Sequence, residues 1–494
     1  MDGSAPAQHA ADGVVKHDVD AVNSSARRSL YKAREPIYPQ LVHGKFRALK
    51  WGLLAATLGV YYLLPWLRWP RGIGEPDQAV LIDFPGRRFY FFFIEIWPDE
   101  LYYVTGLLIL AALSLFLATA LFGRIWCGYA CPQTVWTDLF MAVERFIEGD
   151  RNKRIRLAKA PWSADKVLKK VSKHAIWLFI AAATGGAWVF YFHDAPTILP
   201  QILRGEAPGS AYLFIGVLTF TTYTLAGTMR EQVCTYMCPW PRIQAAMTDA
   251  DTLQVTYRSD RGEPRGAHKK GEPWEERGDC IDCRACVAAC PMGIDIRDGA
   301  QLECINCALC IDACDSIMKK IERPLGLIAY DTDANVARRS AGGGTRFDLF
   351  RARTLVYAVA VSIVGAVMLF GLTNRSTLEL NVLRDRTPPF VTLSDGSVRN
   401  AYTVKVVNKD NVERPFRLAV DSDASIELGA VGLEAAGRTL DFSTPGDTVR
   451  SVRVFITISA EGAAPGSMPL AFRIENLETG ETANNPTVFM TGER

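Results

Sequence analysis

Along the chain, apolar residues gather in five blocks separated by polar and charged stretches. The blocks cover residues 51–67, 102–122, 174–192, 212–229 and 354–373. A helix needs about 20 mostly apolar residues to cross a bilayer, so each block predicts a transmembrane helix. The first is the shortest, and Trp51, Trp66 and Trp69 supply interfacial anchors at its two ends. One such block alone could be a buried helix of a soluble domain, but five with aromatic flanks argue for a membrane bundle. After the last block the pattern turns strand-like. Residues 402–407 alternate in part, 449–458 are rich in β-branched side chains, and 468–474 and 487–490 continue the series. Pro445-Gly446-Asp447 and Pro465-Gly466 punctuate these runs as turns. Several short strands within roughly 110 residues predict an immunoglobulin-like sandwich. It has no cysteine for a core disulfide and no catalytic constellation, which leaves it a docking or scaffolding role.

Charge orients the bundle. Lys and Arg crowd the segment from Arg124 to Lys173, whereas the loop 193–210 carries only Arg204 and the loop after the first helix has Arg71, Arg87 and Arg88. Cytoplasmic loops hold the excess of Lys and Arg. The basic loop, the amino terminus and the region after the fourth helix are therefore expected in the cytoplasm of a bacterium, and the carboxyl-terminal domain in the periplasm. The expected protein is multi-pass in the inner membrane. The first 35 residues are polar without an apolar run, so they predict no signal peptide. A net charge of +2 gives no sign of nucleic-acid binding.

The expected organisation has five parts. Residues 1–48 form a flexible cytoplasmic tail, and 49–256 hold four membrane helices. A cytoplasmic cysteine-rich domain spans 257–335, entered through a solvated stretch over 257–278. Residues 336–375 form a linker, with Gly342-Gly343-Gly344 near its start, and the fifth helix. The β domain covers 376–494.

Cysteine placement carries the chemistry. Cys280, Cys283, Cys286 and Cys290 read C-x2-C-x2-C-x3-C before Pro291. Cys304, Cys307, Cys310 and Cys314 repeat the spacing, with Asp315 where a second Pro is expected. This is the bacterial two-cluster ferredoxin pattern, in which each group's fourth cysteine serves the other cluster. It predicts one 4Fe-4S cluster on Cys280, Cys283, Cys286 and Cys314 and a second on Cys290, Cys304, Cys307 and Cys310. Structural zinc uses two pairs, not two triplets each trailed by a fourth cysteine, and disulfides do not persist in the cytoplasm.

The other four cysteines form two C-x3-C-P motifs, Cys127/Cys131 and Cys234/Cys238, placed alike after the second and fourth helices. Cysteines four apart share a helix face, and the following Pro favours a helix end. Three readings stand for this quartet. It could bind copper, since soft thiolates favour Cu(I) and Met237 lies alongside; it could be a redox-active dithiol; or it could pack as small buried hydrophobes. No His pair suits a haem, and no dinucleotide-binding glycine pattern opens a helix.

The segments Cys127-Gly-Tyr-Ala-Cys131-Pro-Gln-Thr-Val-Trp-Thr-Asp138, Cys234-Thr-Tyr-Met-Cys238-Pro, the eight-cysteine block, Ile37-Tyr-Pro39, Phe84-Pro-Gly-Arg-Arg-Phe-Tyr90, Trp97-Pro-Asp99 and Val382-Leu-Arg-Asp-Arg386 occur together. As a set they resemble the CcoG/FixG/RdxA cytochrome c oxidase accessory proteins, over nearly the whole chain beyond the amino-terminal tail. The resemblance implies a role in assembling a C-family haem–copper oxidase by reducing Cu(II) to Cu(I). It also implies an immunoglobulin-like carboxyl-terminal domain. Expected partners are copper ions, oxidase subunits or copper-delivery proteins, and a cytoplasmic electron donor. The rival expectations are a general quinone-linked electron carrier and a non-enzymatic redox sensor or scaffold.

Overall fold

The computed structural model describes residues 9–10, 14–23, 35–71, 75–268, 273–275, 277–410, 412–422, 424–459 and 466–492. The chain divides into two compact units, the boundary falling after Met368, with the short stretch Arg71–Glu75 grouped with the carboxyl-terminal unit.

In the first unit, α1 (Lys45–Leu63) is followed by a three-stranded antiparallel meander of Val80–Asp83, Arg88–Phe91 and Ile94–Ile96. Then come α2 (Tyr102–Phe122), α3 (Ile125–Tyr129), α4 (Pro132–Glu148), α5 (Arg151–Lys159), α6 (Ala164–Val189), α7 (Ala195–Arg204) and α8 (Gly209–Thr222). The last of these continues as a π-helical stretch, Tyr223–Met229, and a second π turn, Val233–Met237, precedes α9 (Trp240–Met247).

Among the described residues, four helices are long and apolar enough to cross a membrane, against the five expected: Lys45–Trp66, Pro98–Phe122, Gly209–Met229 and Ala352–Thr373. The block 174–192 belongs to α6, whose first ten residues include Lys166, Lys169, Lys170 and Lys173 and lower its apolar content. Its apolar half is nevertheless built into the bundle. Thr184 Oγ1 shares a hydrogen bond of 2.7 Å with the Tyr62 hydroxyl and accepts another of 3.0 Å from Trp136 Nε1. At Gly185 a Cβ would sit 2.8 Å from the carbonyl oxygen of Ile215, so only glycine lets α6 and α8 approach this closely.

The cysteine-rich domain closes on itself through a two-stranded antiparallel sheet of Gln254–Tyr257 with Ile328–Asp331. Its helices Ala285–Ala289 and Leu309–Lys320 share one core with Val255, Ile281, Met318 and Leu327. The stretch expected as a solvated entry also packs here: Gly266 N–H donates to Cys280 O at 3.1 Å and His268 stacks on Trp274. The expected exit linker opens with a helix, Asp333–Ser340, capped by Thr332.

The expectation of a flexible tail over 1–48 does not hold for residues 14–23 and 35–48. Val14 is fully buried in the cysteine domain. His17 N–H donates to Cys283 O at 3.0 Å, Val22 N–H to Gly293 O at 2.8 Å, and Gln40 N–H to Ala288 O at 2.8 Å. The sequence there is polar, but its main-chain groups are satisfied by the cysteine loops. The rest of the expected tail, 1–8, 11–13 and 24–34, lies outside the described residues. Asp312 completes the attachment by accepting from the first amides of α1, Phe46 N–H at 3.3 Å and Arg47 N–H at 2.7 Å. A carboxylate at a helix amino terminus satisfies free donors and complements the helix dipole.

The carboxyl-terminal unit is a two-sheet antiparallel sandwich. Its strands are β1 (Leu378–Arg384), β2 (Val391–Thr392), β3 (Val398–Asn408), β4 (Arg414–Asp421), β5 (Ile426–Ala430), β6 (Ala435–Ala436), β7 (Thr439–Thr444), β8 (Thr448–Ile458), β9 (Ser467–Asn476) and β10 (Thr482–Met490). One sheet runs β5-β8-β3-β1 with β2 on the flank of β3, and the other runs β6-β7-β4-β9-β10. Inward positions alternate along β3, where Tyr402, Val404 and Val406 are fully buried. They meet Phe416, Leu418, Phe472 and Ile474 from the facing sheet.

Candidate iron–sulfur and thiol site

The two ferredoxin-type loops share one backbone. In the first, Asp282 and Arg284 adopt φ of 53° and 57°; in the second, Asn306 and Ala308 adopt 53° and 60°. These are the second and fourth residues after each leading cysteine. Left-handed turns at the same two places curl each loop around its sulfurs, and Asp and Asn tolerate that region better than most residues. Each loop then enters a helix that carries its third cysteine.

The folding of one loop against the other groups the thiols crosswise. Burial pushes the Cys314 thiol well up, and the sulfurs that add to this are Cys286, Cys283 and Cys280. Burial also pushes Cys290 up to about 12, with Cys307 and Cys304 contributing. Cys280, Cys283, Cys286 and Cys314 line a single cavity with Arg297, Met318 and Leu327. The donor set suits an iron–sulfur cluster. Thiols raised this far stay protonated in apolar surroundings until a metal core supplies positive charge, and its binding then releases the protons. Arg297 puts a fixed cation on the cavity wall, held by Asp295 at 2.6 Å and Asp282 at 2.7 Å.

The two C-x3-C-P motifs are also matched in backbone. Gly123, four residues before Cys127, has φ 57° and ψ −125°, and Arg230, four residues before Cys234, has φ 41° and ψ −109°. This is strained for a residue with a side chain. Arg230 is held there by its Nε, which donates to Gly227 O at 2.8 Å, and by an ion pair with Glu144 at 2.6 Å. The second cysteines match too: Cys131 has φ −60° and ψ 128°, Cys238 φ −78° and ψ 123°, the extended form that a following proline imposes. Helical continuation through both cysteines is thus interrupted at the second one. Cys127 lies on α3, and Cys234 lies on the π turn Val233–Met237; such turns occur often at functional sites.

Both motifs reach the second cysteine loop. Cys127 and Cys234 pack on Met292, Ile294 and Ile305, a patch that also borders Cys290 and Cys304. Arg124 is buried and donates to the carbonyl oxygens of Leu302, Cys304 and Pro241. The Cys127 thiol donates to Gln244 Oε1 at 3.2 Å. Burial pushes Cys127 and Cys234 up to about 12 each, and at both the neighbouring thiols add to the effect. An open cavity beside them is lined by Cys234, Met237, Cys238, Arg242, Leu302 and Glu303, and Cys238 itself is exposed. Sequence reasoning passed over Arg124, Arg230 and Gln244. The signal available was their repeated offset, an Arg three or four residues before the leading cysteine of each motif.

Comparison with known proteins agrees with this layout. Residues 104–153 match the family described as a 4Fe-4S binding domain, 229–333 a 4Fe-4S dicluster domain, and 368–492 the IG-like fold at the C-terminal of FixG, putative oxidoreductase. Nitrogen fixation protein FixG of Rhizobium meliloti is 52% identical over 471 residues, covering 89% of this chain and 90% of that protein. Protein RdxB of Cereibacter sphaeroides is 52% identical over 469 residues, covering 93% and 97%. Protein RdxA of the same organism is 51% identical over 461 residues, covering 92% and 96%.

Proposed function

The chain belongs to the FixG family and is a membrane iron–sulfur electron-transfer protein, and from that premise we propose that it reduces Cu(II) to Cu(I) for assembly of a C-family haem–copper oxidase. Cys280, Cys283, Cys286 and Cys314 are assigned to one 4Fe-4S cluster, and Cys290, Cys304, Cys307 and Cys310 to the other. Each cluster, when bound, takes up and gives back single electrons, the unit that the Cu(II)/Cu(I) change requires. The quartet Cys127, Cys131, Cys234 and Cys238 is assigned as the redox site through which electrons reach copper.

The observation that carries this reading is the open cavity beside the second cysteine loop, lined by Cys234, Met237, Cys238, Leu302 and Glu303. The thioether of Met237 is a soft donor that stabilises Cu(I) over Cu(II), so it favours the product of the reduction. Glu303 is the residue immediately before Cys304, so copper in the cavity lies beside the second cluster's loop. Arg124 fixes that distance by bridging the loop to α9 through Cys304 and Pro241.

We assign α6 as a fifth span, since its apolar half is bonded to α1 and α4 and packed on α8, three elements of the bundle. With the basic segment 124–173 in the cytoplasm, the cysteine domain is cytoplasmic and the sandwich periplasmic.

Met237→Leu combined with Glu303→Gln tests the copper step. The variant should keep the iron content of the parent and lose Cu(II) reduction. Full copper reduction by this variant contradicts the assignment, and clusters that exchange electrons with quinol but not with Cu(II) support the quinone-linked alternative.

A further inference from the structure

Twelve cysteines make three sets of four, and the ferredoxin-type loops use eight of them. The segment matching a 4Fe-4S binding domain, 104–153, contains only Cys127 and Cys131. A cubane needs four thiolates, so that segment is half a site. The fold supplies the other half. Cys127 and Cys234 rest on the same apolar patch, and Cys234 and Cys238 line one cavity. Cys131 lies within electrostatic reach of both Cys127 and Cys234. The matched backbone at Gly123 and Arg230, and again at Cys131 and Cys238, makes the two motifs equivalent halves.

The match of residues 104–153 to a 4Fe-4S binding domain favours a cluster over a single ion at this quartet. We propose that Cys127, Cys131, Cys234 and Cys238 together hold a third iron–sulfur cluster of the cubane type, seated between the ends of the membrane helices and the second ferredoxin loop.

The patch of Met292, Ile294 and Ile305 and the half-buried state of Cys127, Cys131 and Cys234 shield the site on one side. Exposed Cys238 opens it towards the cavity on the other. Arg124 lies beside both this quartet and Cys304, so one buried cation serves two neighbouring sites. Copper then meets Met237 and Glu303 at the cavity rather than the four sulfurs. The inference rests on the electron-transfer reading and not on copper as the acceptor, so the two can fail separately.

The test is metal and acid-labile sulfide analysis of the full chain purified without oxygen, with Mössbauer spectra of the iron-57-labelled protein. About 12 irons and 12 sulfides per chain are expected, four for each cubane. The Cys131→Ser/Cys238→Ser variant should fall to about eight of each while keeping the spectrum of the other two clusters. If that variant does not accumulate, the wild-type count and spectrum decide alone. About eight irons in the wild type, alone or with one copper or zinc per chain, overturns the proposal.

Discussion

Arg124 donates a hydrogen bond to the carbonyl oxygen of Cys304 at 3.1 Å, joining the end of the second membrane helix to the second ferredoxin-type loop. The same guanidinium donates to Leu302 O and, at 2.6 Å, to Pro241 O. Three main-chain acceptors therefore depend on one buried side chain. Arg124→Met should leave them unsatisfied at about 1–3 kcal/mol each. The expected result is a lower unfolding temperature and slower electron exchange between the second cluster and copper, read by thermal melts and by rapid-mixing absorbance.

Gly128 shows how closely that junction is packed. A Cβ there would lie 2.6 Å from Ile305 O and 3.0 Å from Asn306 O, both main-chain atoms of the second loop. Gly128→Ala must push α3 off the loop. Iron analysis should show loss at the second ferredoxin set and at the C-x3-C-P quartet, with the set containing Cys314 retained.

Cross-ligation gives a separate forecast. Cys314 lies near Cys280, Cys283 and Cys286 although it ends the other group in sequence. Cys314→Ser should disturb the cluster of the first loop, and Cys290→Ser that of the second. Electron paramagnetic resonance of the reduced variants distinguishes them, and the reverse pattern would refute the crosswise assignment.

The two ferredoxin-type loops were legible because the C-x2-C-x2-C-x3-C spacing stands in the sequence itself, and residues 229–333 match a 4Fe-4S dicluster domain. The sandwich was legible because β-branched runs alternate between turn signals, and Tyr402, Val404 and Val406 do face inward. The block 174–192 was harder, since hydropathy reads the apolar half of α6 without the lysines that extend the same helix. The arm over residues 14–23 was illegible because it is held by main-chain hydrogen bonds to Cys283 and Gly293. Such bonds leave no mark on side-chain pattern. The offset of Arg230 before Cys234, like that of Arg124 before Cys127, was there to be read, but the strained backbone that makes Arg230 matter is visible only in three dimensions.

Glu144 forms the centre of a buried ion network with Arg230, Arg154 and Lys173. Burial favours its neutral form, but Arg230 and Arg154 outweigh that and hold the carboxyl at about 2, below its ordinary 4.5. The folded pKa is depressed, so this stabilisation is complete above pH 4.5 and is lost as pH falls towards 2. The shift corresponds to about 3 kcal/mol. Glu144→Gln removes the carboxylate paired with buried Arg230, while Arg154 and Lys173 keep Glu148, and should cost about 3 kcal/mol at neutral pH. Melting curves of both proteins from neutral to acid pH should converge as the wild-type carboxyl takes up its proton.

Stopped-flow mixing of the dithionite-reduced, oxygen-free protein with Cu(II) in the presence of a Cu(I) chelator tests the central claim most directly. Reoxidation of the clusters should proceed at the rate at which the Cu(I) complex appears, one Cu(I) for each electron lost. Clusters that stay reduced in the presence of Cu(II) would contradict the assignment of copper as acceptor.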